Sequence, residues 1–199
     1  MTRSGFLAIE LITHRAAIVG RAIDQRAQTP LPGVEVVITS GPAAWTARLA
    51  ALHQGHPDAR PDRMISDGNG FFRWLDLPAG SYALRAALPG TRYGVATGTL
   101  DVVASGPVSA ALALPPTAVT GLIKGGAPAQ PLAQARVRFA DSDDTTYSAA
   151  DGSFTLSPVE AGSNRVLEVS AQNHVTATQT VTLSQGQTVT AATITLTHS

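Results

Sequence analysis

Residues 69–74 read Asn-Gly-Phe-Phe-Arg-Trp, and residues 151–156 repeat the pattern as Asp-Gly-Ser-Phe-Thr-Leu. The match extends to an Ala-Gly-Ser in each copy, so that Gly70 and Gly152 correspond at an offset of 82 positions. A turn glycine followed by an aromatic residue in a short alternating run is typical of a β-hairpin that plugs a core. The chain therefore contains two copies of one β unit.

An upstream block is also duplicated, but at a different offset. Residues 18–38 return as residues 119–139, so that Gly20 corresponds to Gly121 at an offset of 101 positions. Because the offset falls from 101 to 82, the first copy holds about 19 extra residues between its two blocks. Two such copies indicate a tandem pair of domains rather than a long repeat array.

The extra residues carry apolar side chains at helical spacing, i, i+4 and i+7: Trp45, Leu49 and Leu52. Pro42 precedes this run and Gly55 follows it, in the positions that proline and glycine favour at helix ends. We therefore predict a short amphipathic helix over residues 43–54, inside an insert of about residues 41–64.

The remaining pattern is β. Apolar residues alternate with polar ones in residues 34–39, 136–140, 175–183 and 188–196, and Gly- or Pro-containing turns separate these runs. Many short alternating strands predict an all-β fold built from antiparallel sandwiches.

Composition narrows the range of functions. The 199 residues carry 14 basic and 14 acidic side chains, only 14% charged in total, and no cysteine. A neutral, charge-poor chain lacks the basic surface that nucleic acids and anionic membranes require. Disulfides and thiolate metal sites are excluded as well. Other protein surfaces are the expected partners.

The first residues include an apolar run at residues 6–12, which contains Glu10 and is followed by no small-residue cleavage site. We expect residues 1–14 to form an arm or extra strand that adds to a sheet edge of its own chain or of a partner. No apolar run approaches about 18 residues, so membrane insertion is not expected.

The duplicated motifs resemble the carboxypeptidase regulatory-like module, a transthyretin-type sandwich. The resemblance rests on four stretches of the first copy and their counterparts in the second: residues 20–24, 30–36, 66–72 and 77–82. It implies two tandem seven-stranded Greek-key β-sandwich domains of prealbumin or Ig-like type, over residues 15–115 and 116–199. It also implies structural roles for the motif residues, with Gly20 opening a strand, and it brings no hydrolytic residues.

A narrower resemblance concerns the insert and the segments that follow it. Residues 45–78, together with the Thr-Arg-Tyr-Gly of residues 91–94, are similar to small proteins encoded with phage-tail-like contractile injection particles. This implies a non-catalytic structural subunit near the cap or tail of such a particle. Its partners would be other subunits, including further copies of itself. Assembly in the cytoplasm without a signal peptide, and release with the particle, would follow.

The residues expected to bind a partner lie in the arm and around the insert helix: Phe6, Leu7, Ile9, Leu11, Trp45, Arg48, Leu49, Leu52, Arg60 and Arg63. The first domain would then anchor the chain while the second projects from it. For the helix residues the competing interpretation is favoured, because an amphipathic helix normally buries its apolar face within its own domain: Trp45, Leu49 and Leu52 would then pack only on their own sandwich.

Two other clusters contain metal-ligand types. His53 and His56 stand near the helix end, with Asp58 nearby, and could contribute to a Zn or Ni site. A solvated helix terminus is the favoured interpretation, because His56 lies past Gly55 and no third ligand is fixed. Asp141, Asp143 and Asp144 lack the regular spacing of a Ca²⁺ loop and also fit a polar hairpin loop.

We assign no catalytic residue, metal site or cofactor and expect no enzyme, because no nucleophile, zinc or phosphate-binding motif occurs. The alternative function is a surface adhesive module that binds carbohydrate or Ca²⁺. Aromatic residues are only 5% of the chain, which leaves few rings to stack on a sugar.

Overall fold

The computed structural model describes residues 14–199, which form two successive β-sandwiches. The first sandwich comprises β1 (Ala16–Asp24), β2 (Glu35–Ser40), α1 (Ala43–Gly55), β3 (Arg63–Ile65), β4 (Phe71–Leu75), β5 (Gly80–Ala87), β6 (Ala96–Val102) and β7 (Val108–Leu114). The second comprises β8 (Ala118–Gly125), β9 (Gln130–Pro131), β10 (Arg136–Phe139), β11 (Thr145–Tyr147), β12 (Ser153–Leu156), β13 (Gly162–Ser170), β14 (Ala177–Leu183), β15 (Thr188–Thr190) and β16 (Ile194–Leu196). The predicted all-β class with one short helix is confirmed.

Both sandwiches have the same strand order. In the first, the sheets run β4-β1-β7 and β3-β2-β5-β6; in the second, they run β12-β8-β15 and β11-β10-β13-β14. β9 and β16 also pair with β8. Within residues 14–199, no helix has the length and apolarity that a membrane span requires.

The last strand differs between the copies. The sequence predicts one strand over residues 188–196, but the structure divides this run into β15 and β16. Both pair in parallel with β8, with Val189 opposite Val119 and Thr195 opposite Lys124. The separation grows from 70 to 71 positions between these pairs, which is the one extra residue of a β-bulge. The sequence carries a trace of the bulge, because the inward apolar side chains switch from odd positions, Val189 and Ala191, to even ones, Ile194 and Leu196.

Each core contains a glycine that makes room for an aromatic ring. Gly20 lies opposite Phe72 in the pairing of β1 with β4, and a Cβ on Gly20 would fall 2.1 Å from the Phe72 Cζ. Gly121 and Phe154 repeat this arrangement, with a Cβ at 2.6 Å from the ring. Gly20 therefore does not open a strand, as the resemblance suggested, but lies inside β1 beneath the ring.

A buried serine bridges the turn before the second strand in both copies. The Ser66 hydroxyl donates to the Leu31 carbonyl oxygen at 2.7 Å and accepts from the Val34 N–H at 2.9 Å. Ser148 makes the same two contacts, at 2.6 and 2.9 Å. These bonds satisfy backbone groups that would otherwise be buried without partners.

The insert leaves the first sandwich between β2 and β3. Helix α1 begins after Pro42 and ends at Gly55, one residue beyond the prediction. Arg63 and Met64, which the sequence analysis placed in the insert, lie in β3. By offset, β3 corresponds to β11, so this strand is common to both copies and the added structure ends before residue 63.

Candidate functional site

Helix α1 packs on the first sandwich through one tryptophan. Trp45 is 4% exposed and meets Tyr82 edge to face, with ring centroids 6.2 Å apart. Leu49 and Leu52 are only half-buried. Of the predicted apolar face, Trp45 therefore lies in the core of the first sandwich, while Leu49 and Leu52 remain partly exposed at the surface.

The two leucines border an apolar groove between α1 and the end of β4. Its volume is about 550 Å³, and its apolar wall is formed by Leu49, Leu52, Met64, Trp74 and Leu75. Because the exposed atoms are mostly aliphatic and aromatic, the groove is suited to apolar side chains. We call it the insert groove.

The predicted partner-binding arginines all have partners in their own chain. Arg48 donates to the Asp76 carbonyl oxygen at 2.8 Å, which ties α1 to the end of β4. The other contacts are a two-bond pair of Arg60 with Asp62, at 3.0 Å each, and an Arg63–Glu35 ion pair at 2.7 Å. These contacts hold the insert in place, and a partner-binding role for the three arginines stays a prediction.

His14 and Arg15, the first residues that the structure describes, lie at the rim of the insert groove. The Arg15 N–H donates to the Asp76 carboxylate at 2.8 Å, and the Asp76 N–H donates to the Arg15 carbonyl oxygen at 2.9 Å. The His14 ring pairs with the same carboxylate and borders the groove. The bond from the Arg15 backbone, followed by the His14 contact, lowers the pKa of Asp76. The predicted arm residues Phe6, Leu7, Ile9 and Leu11 lie outside the described residues.

A second constellation joins the two sandwiches. Arg92, in the loop between β5 and β6, donates to Glu160 at 2.9 Å and to both carboxylate oxygens of Asp144 at 3.0 and 3.1 Å. It also donates to the Pro158 carbonyl oxygen at 2.8 Å. The Thr91 hydroxyl contacts the Glu160 carboxylate. We call Thr91, Arg92, Asp144 and Glu160 the inter-sandwich clamp.

The clamp carboxylates are held ionised. The bond from the Thr91 hydroxyl, followed by bonds from the Thr91 backbone and Arg92, lowers the pKa of Glu160. Burial opposes the charge of Asp144, but hydrogen bonds from Arg92 and Ser142 outweigh it and lower its pKa.

Backbone contacts extend the clamp along the joint. The Thr117 N–H donates to the Arg92 carbonyl oxygen at 2.7 Å, and the Gln185 side chain donates to the Tyr93 carbonyl oxygen at 2.6 Å. Gly94 and Gly186 touch, since a Cβ on Gly186 would lie 2.5 Å from the Gly94 Cα. These contacts leave little room for the two sandwiches to turn relative to one another.

A buried pair anchors the clamp loop to the first sandwich. The Tyr93 hydroxyl donates to the Asp24 carboxylate at 2.9 Å, and both residues are buried. Burial, together with this hydrogen bond, raises the pKa of Tyr93 to about 12. The phenol therefore stays protonated and donating at neutral pH.

The acidic loop that the sequence offered as a Ca²⁺ site takes part in ion pairs. Asp144 faces Arg92, and Asp141 binds Arg165 through two contacts at 3.1 and 2.6 Å. The Arg165 guanidinium also lies over the Phe139 ring, 4.1 Å from its centroid. Arginines thus occupy two of the three carboxylates that a cation would need.

His53 and His56 do not form a metal site with Asp58 in this structure. The His53 ring contacts the Ala59 carbonyl oxygen at 2.9 Å, and His56 follows the end of α1. His174 and His198 stack with ring centroids 4.4 Å apart, a pairing that the sequence did not suggest. In the part of the chain that the structure describes, no three His, Asp or Glu side chains gather to hold a metal ion.

Sequence reasoning missed the inter-sandwich clamp. Arg92 lies 52 residues from Asp144 and 68 from Glu160, and no periodic pattern relates them. The available signal was the Thr-Arg-Tyr-Gly sequence of residues 91–94, which the corresponding loop of the second copy replaces with Asn-His-Val-Thr at residues 173–176.

A known protein family matches the second sandwich. Residues 118–197 match the model of the carboxypeptidase regulatory-like domain. The resemblance that the repeated motifs suggested is confirmed for this part of the chain. Comparison with curated protein sequences gave no match.

Solved structures with a similar fold have low sequence identity to this chain. The shaft pilin SpaA of Lactobacillus rhamnosus GG is 13% identical with a TM-score of 0.44, over 94% of this chain and 98% of that one. A streptococcal ancillary pilin is 14% identical with a TM-score of 0.37, over 94% of this chain. The Bacillus anthracis TIE protein is 10% identical with a TM-score of 0.43, over 92% of this chain. The chain spans 63% of that ancillary pilin and 34% of the TIE protein.

Proposed function

We propose that this chain is a non-catalytic structural subunit of a large protein particle, and that the particle is a phage-tail-like contractile injection system. The chain would bind neighbouring subunits through the first sandwich, while the second sandwich extends the assembly. In this proposal the particle forms in the cytoplasm and is released afterwards. The resemblance of the insert and of residues 91–94 to proteins encoded with such particles supports the choice of particle.

One observation carries the assembly role. The insert groove continues onto the edge strands β3 and β4 of the two sheets, where three apolar side chains are exposed: Ile65 at 52%, Phe71 at 47% and Leu75 at 42%. Met64 borders both the groove and the neighbouring hollow at this edge. Groove and edge together form one apolar face of the first sandwich, the insert face. A contiguous apolar surface at an edge of a sheet is typical of a protein–protein contact.

The chemistry of the two main hollows supports a role without catalysis. The insert groove is lined mainly by apolar side chains, and the hollow beside the clamp is lined by carboxylates that face Arg92 and Arg165. The Ser142 hydroxyl donates to the Asp144 carboxylate at 2.7 Å, but Arg92 already binds that carboxylate and its pKa is lowered, which makes it a weak base. The aromatic rings Phe72 and Trp74 lie in the core, where they are unable to stack on a sugar.

Incorporation into native particles tests the proposal. Ile65→Glu places a charge on the insert face and should remove the chain from purified particles while the isolated protein stays folded by circular dichroism. Tyr147→Glu is the matched control, because Tyr147 is 56% exposed and occupies the corresponding position in the second sandwich. Equal incorporation of both variants would contradict the role of the insert face.

Electron microscopy of the native assembly with this chain labelled decides the class of particle. The expected result is the label on a particle with a sheath and a tube. Label on the cell surface, together with calorimetric binding of Ca²⁺ or a glycan, would favour the adhesive alternative and overturn the proposal.

A further inference from the structure

The insert groove lies where the N-terminal segment joins the described part of the chain. Arg15 and His14 are bonded to Asp76, which stands beside Leu75 at the groove rim. The thirteen residues that precede His14 therefore start from a point fixed next to the groove. Whatever path they take, their local concentration at the groove is high, because a short tether keeps them there.

The sequence of this segment matches the chemistry of the groove. Residues 6–12 read Phe-Leu-Ala-Ile-Glu-Leu-Ile, so six of the seven side chains are apolar. The groove wall is likewise mainly aliphatic and aromatic, with the half-buried Leu49, Leu52 and Met64 bordering the open space. At about 3.3 Å per residue, two residues span the distance from His14 to the start of the apolar run, so the run begins within about 7 Å of the rim.

We infer that the insert groove is the binding site of the chain's own residues 6–12. Docking would bury their apolar side chains against α1 and the end of β4. The alternative occupant is the same segment of a second copy, but that segment would have to compete with a tethered one at millimolar effective concentration. Docking leaves the exposed Ile65 and Phe71 of the insert face for a neighbouring subunit, and the inference holds whether or not the particle assignment is correct.

Hydrogen exchange of the full chain tests the inference. In the wild-type protein the amides of residues 7–12 should exchange about tenfold more slowly, or more, than in the Ile9→Glu variant. Leu52→Glu, which changes the groove instead of the segment, should release the same amides. Glu10→Gln removes the one charge of the run and is the control for the segment, with protection retained.

Each outcome decides the question. Equal and rapid exchange of residues 7–12 in the wild-type protein and in Ile9→Glu would overturn the inference. Protection that grows with protein concentration, with a dimer in light scattering, would also overturn it and assign the groove to a second copy. If Leu52→Glu unfolds the first sandwich, the amides of β1 and β5 will show it, and the Ile9→Glu comparison then decides alone.

Discussion

Arg92→Ala should uncouple the two sandwiches. The side chain donates four hydrogen bonds to the second sandwich, three of them to carboxylates. Because it is 38% exposed, water screens these bonds, and each contributes about 0.5 kcal/mol rather than the larger value of a buried charged pair. The expected loss of coupling free energy is therefore about 2 kcal/mol.

Urea unfolding with two probes measures this loss. Both tryptophans, Trp45 and Trp74, belong to the first sandwich, so tryptophan fluorescence follows that sandwich while circular dichroism follows both. In the wild-type chain we expect the two signals to change together. In Arg92→Ala the less stable sandwich should unfold at about 1 M less urea, and the two signals should separate.

The control is Arg85→Ala, which removes an exposed arginine of β5. A double-mutant cycle of Arg92→Ala with Asp144→Ala isolates the pair from other effects of truncation. Unfolding midpoints of Arg92→Ala that equal those of Arg85→Ala for both probes would refute the reasoning, since the clamp would then contribute no coupling.

Two further predictions concern packing and pH. Gly20→Ala would place a Cβ 2.1 Å from the Phe72 ring and should lower the free energy of unfolding by about 1–3 kcal/mol. Gly55→Ala is the control, because the space around Gly55 is open and no such loss is expected. Thermal unfolding of the two variants measures the difference. The clamp should weaken in acid, because folding lowers the pKa values of Asp144 and Glu160. The two carboxylates therefore contribute fully to the stability of the folded chain above their ordinary pKa values of 3.8 and 4.5. That contribution is lost as the pH falls below these values and through the lowered ones. Titration from pH 7 to 3 should bring the wild-type midpoints toward those of the clamp variant, and an unchanged difference between them at pH 3 would count against this assignment.

The repeated motifs made most of the fold predictable, because each motif specifies a turn or a strand pair within a few residues. The Gly70 turn and the following Phe72 specify a hairpin within a few residues, and Trp45 with its helical neighbours predicts α1 to within one residue. Even where the motif varies, the backbone persists. Gln134 adopts φ 58° where Gly33 adopts φ 74°.

The candidate sites could be predicted only in part. The apolar helix face was visible in the sequence, but which residues enter the core depends on how α1 lies on the sheet. Trp45 proved to be buried, so it is a poor probe of docking, whereas Leu49 and Leu52 remain accessible. The clamp depends on three loops that meet only after both sandwiches have formed, and no local pattern encodes such a meeting.

The clamp also bears on where this architecture accepts new sequence. The connection from β2 to β3 accommodates a whole helix, while its counterpart from β10 to β11 spans residues 140–144 and supplies Asp144 to Arg92. Lengthening that second connection would pull a carboxylate away from the joint. A peptide tag or foreign loop is therefore better grafted into the first connection, near the exposed end of α1, than into the shorter hairpin of the other half.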